Sequence, residues 1–352
     1  MYLIIDKDIP FINEVFEPYA KVYYCAGGEF AEPLLECGRE EVVLVVRTRT
    51  KCTSSLLSGA NVRLIASATI GLDHIDLSYC NTHSICVSNA RGCNSKAVMQ
   101  YFFTSLAYSG HLPENRQERS KLTIGVIGAG NIGEKVAVLA DRMGFNVLRN
   151  DPPKAELQKQ KLRAGTMLEA DAQTYYSLEE VLENSDIVTL HTPLNNSTIN
   201  LANKRFFSLI KPGAVLVNSS RGEVVEDSNL LSSSRLGDFI CDVWQHEPAI
   251  SQQMLLRSVV ATPHIAGYSE EGKRNATDAV IRAVAEFMDI AELKDFTCSA
   301  GQTTHRLDLN APLNPQLLSF FPIGDLDSEL REQPENFEII RKHYKYRNEF
   351  DY

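Results

Sequence analysis

Residues 123–127 form an apolar run that ends in Gly128-Ala129-Gly130-Asn131-Ile132-Gly133 and continues as an apolar stretch over 132–143. A strand, a glycine turn and a helix in that order restrict the fold more than any other feature of the chain. In such a turn the first glycine bends the backbone sharply and the second leaves room for an anion. The third lets the helix pack close to the strand. Unpaired N–H groups at the helix N-terminus then face the anion. Asp151, at the end of the next apolar run, stands at the roughly twenty-residue spacing of an acceptor for ribose hydroxyls. The arrangement implies a dinucleotide site, and a carboxylate at that point repels a 2′-phosphate, which favours NAD over NADP.

The glycine turn sits within a longer alternation. Strands are expected at 3–5, 22–24, 42–46, 62–66 and 85–87, with helices at 11–16, 32–36 and 53–57. A longer helix follows at 94–109. A second block has strands at 123–127, 145–148, 186–190, 214–217, 239–241 and 259–262, and a long helix at 267–290. Alternation of this kind predicts parallel βαβ units, hence an α/β chain with two Rossmann-like doubly wound parallel-sheet domains. Residues 1–93 with 268–290 are read as a lid or substrate domain and 94–267 as the NAD domain. Beyond residue 290 the pattern changes to a strand at 303–309 and a basic amphipathic helix at 335–347, read as a small C-terminal α+β appendage over 291–352.

The formal net charge of −10 gives no electrostatic reason to bind nucleic acid or an anionic membrane. The start reads as a strand, not a signal peptide, and the aliphatic run at 42–46 is far short of a bilayer span. Eight scattered cysteines without a Cys-x-x-Cys pair read as reduced thiols of a cytoplasmic protein, with no zinc site expected.

Three polar residues follow the glycine turn at or near the ends of successive strands: Arg221, Glu247 and His264. A neutral imidazole accepts a hydroxyl proton while hydride leaves the same carbon. A carboxylate orients that imidazole and favours its protonated form. A guanidinium grips a carboxylate in bidentate fashion. Taken singly, His264 also reads as a structural hydrogen-bonder, Glu247 as solvent-facing and Arg221 as a partner of Glu223 or Glu226. Taken together beyond a dinucleotide loop, they favour hydride transfer from a 2-hydroxy acid. His246 is the runner-up base, and His191 is expected on the cofactor side. The segment Arg47-Thr48-Arg49-Thr50-Lys51 suits an anion and equally suits a solvated loop.

The motifs Gly128–Gly133, His191-Thr192-Pro193-Leu194, Lys211-Pro212-Gly213-Ala214, Asn218-Ser219-Ser220-Arg221-Gly222, Asp242-Val243-Trp244 and Pro263-His264-Ile265-Ala266-Gly267 resemble the D-isomer-specific 2-hydroxyacid dehydrogenase family over residues 1 to 290. The resemblance implies catalytic roles for Arg221, Glu247 and His264. It also implies cofactor contacts at Asp151, Thr192, Ser219, Ser220, Arg221, Asp242 and Gly267.

A narrower resemblance within that family is carried by Val46-Arg47-Thr48, Thr69-Ile70-Gly71-Leu72-Asp73-His74, Gly92-Cys93-Asn94, Asp151-Pro152-Pro153 and Gly267-Tyr268-Ser269. It implies a small-molecule substrate that is a phosphorylated 2-hydroxy acid, met by Arg47, Thr48, Thr69 and Tyr268. It further implies a homodimer held through the C-terminal residues. The tail is short for that group, and Leu72 stands where a smaller polar residue is common. Arg341, Lys342, Lys345 and Arg347 are expected on a basic face, which reads as a solvated surface ahead of the alternative that it serves the phosphate site of a partner subunit. The same catalytic residues would serve another acid such as 3-phosphoglycerate, and a different class of reading is an NAD-sensing transcriptional corepressor.

Overall fold

A computed structural model describes residues 1–298 and 305–352, and the chain divides into two compact units. The first comprises residues 1–94 and 269–302. Its strands are β1 (Tyr2–Asp6), β2 (Lys21–Cys25), β3 (Glu41–Val46), β4 (Asn61–Ser67) and β5 (Cys86–Asn89). They form one parallel sheet in the order β2-β1-β3-β4-β5.

Successive side chains of a strand point to opposite faces, so an unbroken apolar run must be covered on both sides. Val43 and Val45, with Leu3, Ile5 and Leu64, pack beneath Val280, Ile281 and Val284 of the helix Glu270–Met288. Val42, Leu44 and Val46 face the other way, onto Phe30, Leu34 and Leu57. Each fully buried valine or isoleucine contributes about 2 kcal/mol, which is why the long helix returns to this unit. Ser269 caps it by accepting from the Gly272 amide at 2.9 Å. The helix expected at 11–16 is absent. Phe11 and Glu14 have φ of 61° and 64°, and irregular turns there bury Ile9, Ile12 and Phe16. The apolar spacing is satisfied without helical backbone.

The second unit comprises residues 95–268 and 303–352. Its main strands are β6 (Thr123–Ile127), β7 (Asn146–Asn150), β8 (Ile187–Leu190), β9 (Val215–Asn218), β10 (Phe239–Cys241) and β11 (Ser258–Ala261), all parallel. The order β11-β10-β9-β8-β6-β7 places β6 between its two successors. The chain leaves β6 towards β7 and returns on the far side as β8. Ligands of open α/β sheets bind where the order reverses, outside the carboxyl ends of such a pair.

The tail forms no separate appendage. The short parallel pair β12 (His305–Arg306) and β13 (Phe350–Asp351) and the helices Leu313–Phe320, Ile323–Glu332 and Phe337–His343 belong to the second unit. Leu313, Leu317, Phe321, Leu330, Phe337 and Phe350 share one core with Tyr101 and Phe102 of the buried helix Ser95–Tyr108. A segment of this length cannot bury enough surface alone, so it borrows a larger core. Residues 303 and 304 of the expected strand lie outside the described residues. The expected 335–347 helix is shorter, with a 3-10 turn at Pro334–Asn336 before it and extended backbone after His343. Among the described residues no helix is long and apolar enough to cross a membrane, and all eight cysteines are free.

Candidate active site

The glycine turn lies between the carboxyl ends of β6 and β8. Gly128 has φ of 89°, and a Cβ there would stand 2.6 Å from the His191 carbonyl oxygen. Gly133 lies under the loop, where a Cβ would come within 1.9 Å of the Gly128 oxygen. Gly130 differs, because a Cβ there would meet nothing within 4 Å. It is the N-cap of the helix Asn131–Met143, and Asn131 and Ile132 begin that helix. Two glycines are thus needed for the chain's own packing, and the third opens the helix N-terminus to an anion.

Asp151 closes the loop from β7. Its Oδ2 accepts from the Ala129 amide and its Oδ1 from the Lys154 amide, both at 3.0 Å. Opposite, Thr192 Oγ1, Ser219 Oγ and His191 Nδ1 are buried without a hydrogen-bond partner among the described residues. Such atoms cost free energy unless a ligand completes them, and their donors and acceptors suit a dinucleotide. Burial pushes the His191 imidazole down to about 3, so it is neutral, with Nε2 3.0 Å from Thr189 Oγ1. Ser220 is turned inward, its amide and hydroxyl donating to Asn218 Oδ1 at 3.1 and 2.8 Å.

His264 follows β11 with φ of 57°, a left-handed conformation that non-glycine residues adopt only when their surroundings over-determine it. Its Nδ1 lies 2.8 Å from Glu247 Oε2, and Glu247 Oε1 accepts from the Trp244 amide at 2.9 Å. Burial pushes the Glu247 carboxyl up, but the neighbouring His264 and the Trp244 amide outweigh it and hold it below the usual range. An ionised carboxylate only accepts, so Nδ1 donates to Glu247, and in a neutral imidazole Nε2 would be the nitrogen with the lone pair. His246, by contrast, is exposed.

Next to Arg221, a Cβ at Gly222 would meet the Trp244 carbonyl carbon at 2.1 Å, so the chain after Arg221 packs directly on the backbone of Trp244 and Gln245. Gln245 adds a bond from its side-chain amide to the Val225 oxygen at 2.6 Å. Arg221 is half-buried and donates from Nη1 to the Ser220 oxygen at 2.7 Å.

Asp242 lies beneath the dyad, only 1 % exposed. It accepts from Thr262 Oγ1 at 2.6 Å and from the Ile265 and Ala266 amides at 2.8 and 2.9 Å. Burial pushes its carboxyl up, and His264 and these donors oppose the shift. The family resemblance implies a cofactor role for Asp242; its partners among the described residues hold the turn after His264, which contains Gly267. Tyr268 ends that turn, and its hydroxyl accepts from Arg341 Nε at 3.0 Å. The tail residues expected on one basic face therefore divide. Lys342 and Lys345 are exposed, Arg341 reaches Tyr268 of its own chain, and Arg347 is buried.

In the first unit Arg47 and Thr48 follow β3, and Thr69 follows the neighbouring β4. Arg47 donates to Asp6 from Nε and Nη2, each at 3.0 Å, and to Asp8 at 2.6 Å. Thr48 is exposed, and Thr69 Oγ1 lies 2.7 Å from Ser67 Oγ. From the sequence the segment 47–51 suits an anion and equally suits a solvated loop; in the structure two carboxylates of its own chain already flank Arg47.

In the second unit, a glycine turn at the point where the strand order reverses and an imidazole paired with a carboxylate suit a hydride-transferring enzyme, and comparison with known proteins gives the family. Residues 102–266 match the family model for the NAD-binding domain of D-isomer-specific 2-hydroxyacid dehydrogenases. The chain belongs to that family and is an NAD-dependent 2-hydroxyacid dehydrogenase. It is 38 % identical to erythronate-4-phosphate dehydrogenase of Bacteroides fragilis, over 99 % of this chain and 97 % of that one. The enzyme of the same name from Coxiella burnetii is 33 % identical over 99 % and 93 % of the two chains. Among solved structures, D-lactate dehydrogenase of Aquifex aeolicus complexed with NAD and lactic acid superposes with a TM-score of 0.63. It is 24 % identical and covers 86 % of this chain and 100 % of its own, which shows a shared fold.

Proposed function

We propose that the chain oxidises 4-phospho-D-erythronate at C2 to 2-oxo-3-hydroxy-4-phosphobutanoate, a step of pyridoxal 5′-phosphate synthesis. The 2.8 Å contact between His264 and Glu247 carries the chemistry, and the full-length similarity to enzymes named for that substrate supports its identity. NAD, when bound, supplies the hydride acceptor. Gly128, Gly130, Asn131, Ile132, Gly133 and Asp151 would hold its pyrophosphate and ribose. Thr192, Ser219, Ser220, Arg221, Asp242 and Gly267 would line the rest.

Within the protein, His264 Nε2 takes the C2 hydroxyl proton, and the ionised Glu247 stabilises the imidazolium that results. Arg221 holds the substrate carboxylate and polarises the forming carbonyl. Arg47, Thr48, Thr69 and Tyr268 are proposed to contact substrate. The proposal includes a homodimer, which light scattering tests; a monomer at assay concentration overturns that part.

The functional test is turnover of phosphorylated and unphosphorylated 2-hydroxy acids, 3-phosphoglycerate included, with and without an added 2-oxo acid. NADH formation from 4-phospho-D-erythronate well above the other acids supports the reading. Preference for an unphosphorylated acid, or for 3-phosphoglycerate, replaces the substrate and leaves the catalytic residues in place. NAD binding without turnover of any acid sinks the enzymatic reading.

A further inference from the structure

We propose that Arg347, in the C-terminal tail, is a positioning residue for His264 and acts through the turn that follows it. The proposal rests on the catalytic role assigned to His264 above.

The turn Ile265–Tyr268 is closed by the Tyr268 amide donating to the Ile265 oxygen at 2.8 Å. It is gripped from two sides. The amides of Ile265 and Ala266 donate to the Asp242 carboxylate. The carbonyls of the same turn point the other way, towards Arg347. Its Nη1 donates to the Tyr268 oxygen at 2.9 Å and, more weakly, to the Ile265 oxygen at 3.3 Å. Its Nη2 donates to the Ala266 oxygen at 2.6 Å and to the Ala97 oxygen, in the first turn of the helix Ser95–Tyr108, at 2.9 Å. The Asp242 carboxyl thus holds the N–H side of one short turn and a guanidinium holds its C=O side.

Arg347 is built for this task and not for solvent. It is 7 % exposed, its guanidinium carbon lies 4.1 Å from the centre of the Phe321 ring, and Nη1 stands 3.1 Å from the Tyr344 hydroxyl. Phe321 and Tyr344 also belong to the tail, so the whole holder is supplied from there. A planar fork reaches four carbonyls at once, which an ammonium on a flexible stem cannot do.

The left-handed backbone of His264 gives the clamp its purpose. A side chain in that conformation stays aimed only where neighbouring structure fixes both its flanks. The His264 amide is fixed by donating to the Asp242 oxygen at 2.8 Å. On the following side, fixation comes from Asp242 and Arg347 together. Nothing in the catalytic motifs announces this residue, which lies far along the chain from His264.

The test uses full-length Arg347→Lys and Arg347→Ala, confirmed as folded by circular dichroism. Both are expected to lose kcat by about tenfold to a hundredfold, the cost of misplacing a catalytic group by a fraction of an ångström to one ångström. The Michaelis constant for NAD should stay nearly unchanged. Amide exchange in the peptide spanning 262–268 should quicken in both variants. Added guanidinium ion should restore part of the turnover of Arg347→Ala and leave that of the unaltered enzyme alone.

A folded Arg347→Lys with unaltered kcat overturns the proposal, whether or not exchange in the turn has quickened. Should Arg347→Ala fail to fold, the lysine variant decides. If the unaltered protein turns over no 2-hydroxy acid, the functional reading is what has failed. Exchange in 262–268 still judges the clamp, and unchanged protection there overturns it.

Discussion

At the carboxyl edge of the six-stranded sheet, Thr192 Oγ1, Ser219 Oγ and His191 Nδ1 are buried with no hydrogen-bond partner among the described residues. At the same edge of the five-stranded sheet, the cation the sequence displays most openly, Arg47, is already flanked by Asp6 and Asp8. One edge keeps polar atoms in reserve and the other has paired its cation. Each orphaned atom costs about 1–3 kcal/mol until a ligand completes it, so the first edge suits a polar ligand such as the cofactor proposed there. The second edge has paired that cation, although Thr50 Oγ1 in the loop after it is also buried without a hydrogen-bond partner among the described residues. An anion drawn to Arg47 must compete with carboxylates that are already there.

The largest effects should come from the catalytic group beside the first edge. His264→Ala is expected to lower kcat by about a hundredfold to ten-thousandfold, the usual contribution of a positioned general base. Dissociation of NAD, followed by fluorescence titration, should hardly change. Equal loss of cofactor affinity would show that His264 shapes the loop and does not carry the proton. Arg221→Lys should also fail badly, since an ammonium cannot reproduce a bidentate grip. Near-normal turnover by that variant would reduce Arg221 to an ordinary ion-pair residue.

Two glycines of one loop should separate packing from ligand room. Gly133→Ala forces a methyl to within 1.9 Å of a backbone oxygen and should cost about 3 kcal/mol or more in urea unfolding. Gly130→Ala adds a methyl in open space and should change stability by only about 1 kcal/mol or less. Its effect should appear in the NAD dissociation constant, which rises. Normal NAD affinity in Gly130→Ala would mean that the cofactor does not approach the loop there.

Arg47→Met tests the paired edge. The Asp6 side chain is fully buried, so removing its cation should cost roughly 3 kcal/mol, the penalty of an uncompensated buried charge. The double change with Asp6→Asn should recover much of that loss. A stable single variant whose only defect is a raised Michaelis constant for the phosphorylated acid would show that Arg47 serves the substrate first.

The same contrast explains what could be read from the sequence. Strands such as Val42–Val46 and Thr123–Ile127 are legible because a parallel sheet covered on both faces needs unbroken apolar runs. The glycine turn is legible because its spacing falls within a few residues, even though the close approach that Gly128 makes is to the distant His191. Long-range pairing is not legible: Arg47 with Asp6, Arg341 with Tyr268 and Arg347 with the turn after His264 all join distant segments. The basic character of 341–347 was visible, but which of its cations are buried depends on Phe321 and Tyr344. The irregular 11–16 segment misled because Ile9, Ile12 and Phe16 have helical spacing yet reach the core through turns.

The smallest effect concerns pH and returns to the edge held in reserve. Burial depresses the His191 imidazole to about 3, against about 6.5 for an unfolded chain. Below about pH 6.5 the unfolded state therefore takes up a proton that the folded state refuses. The stability linked to His191 is complete above that pH and is lost progressively as pH falls towards 3. The slope cannot exceed about 1.4 kcal/mol per pH unit for a single proton. His191→Asn keeps a polar side chain at the end of β8 and removes the titration. Urea unfolding at about pH 7 and about pH 5 should show a shallower acid loss in the variant than in the unaltered protein. Equal slopes would mean that His191 takes up its proton in the folded state, and that this edge is open to solvent before the cofactor arrives.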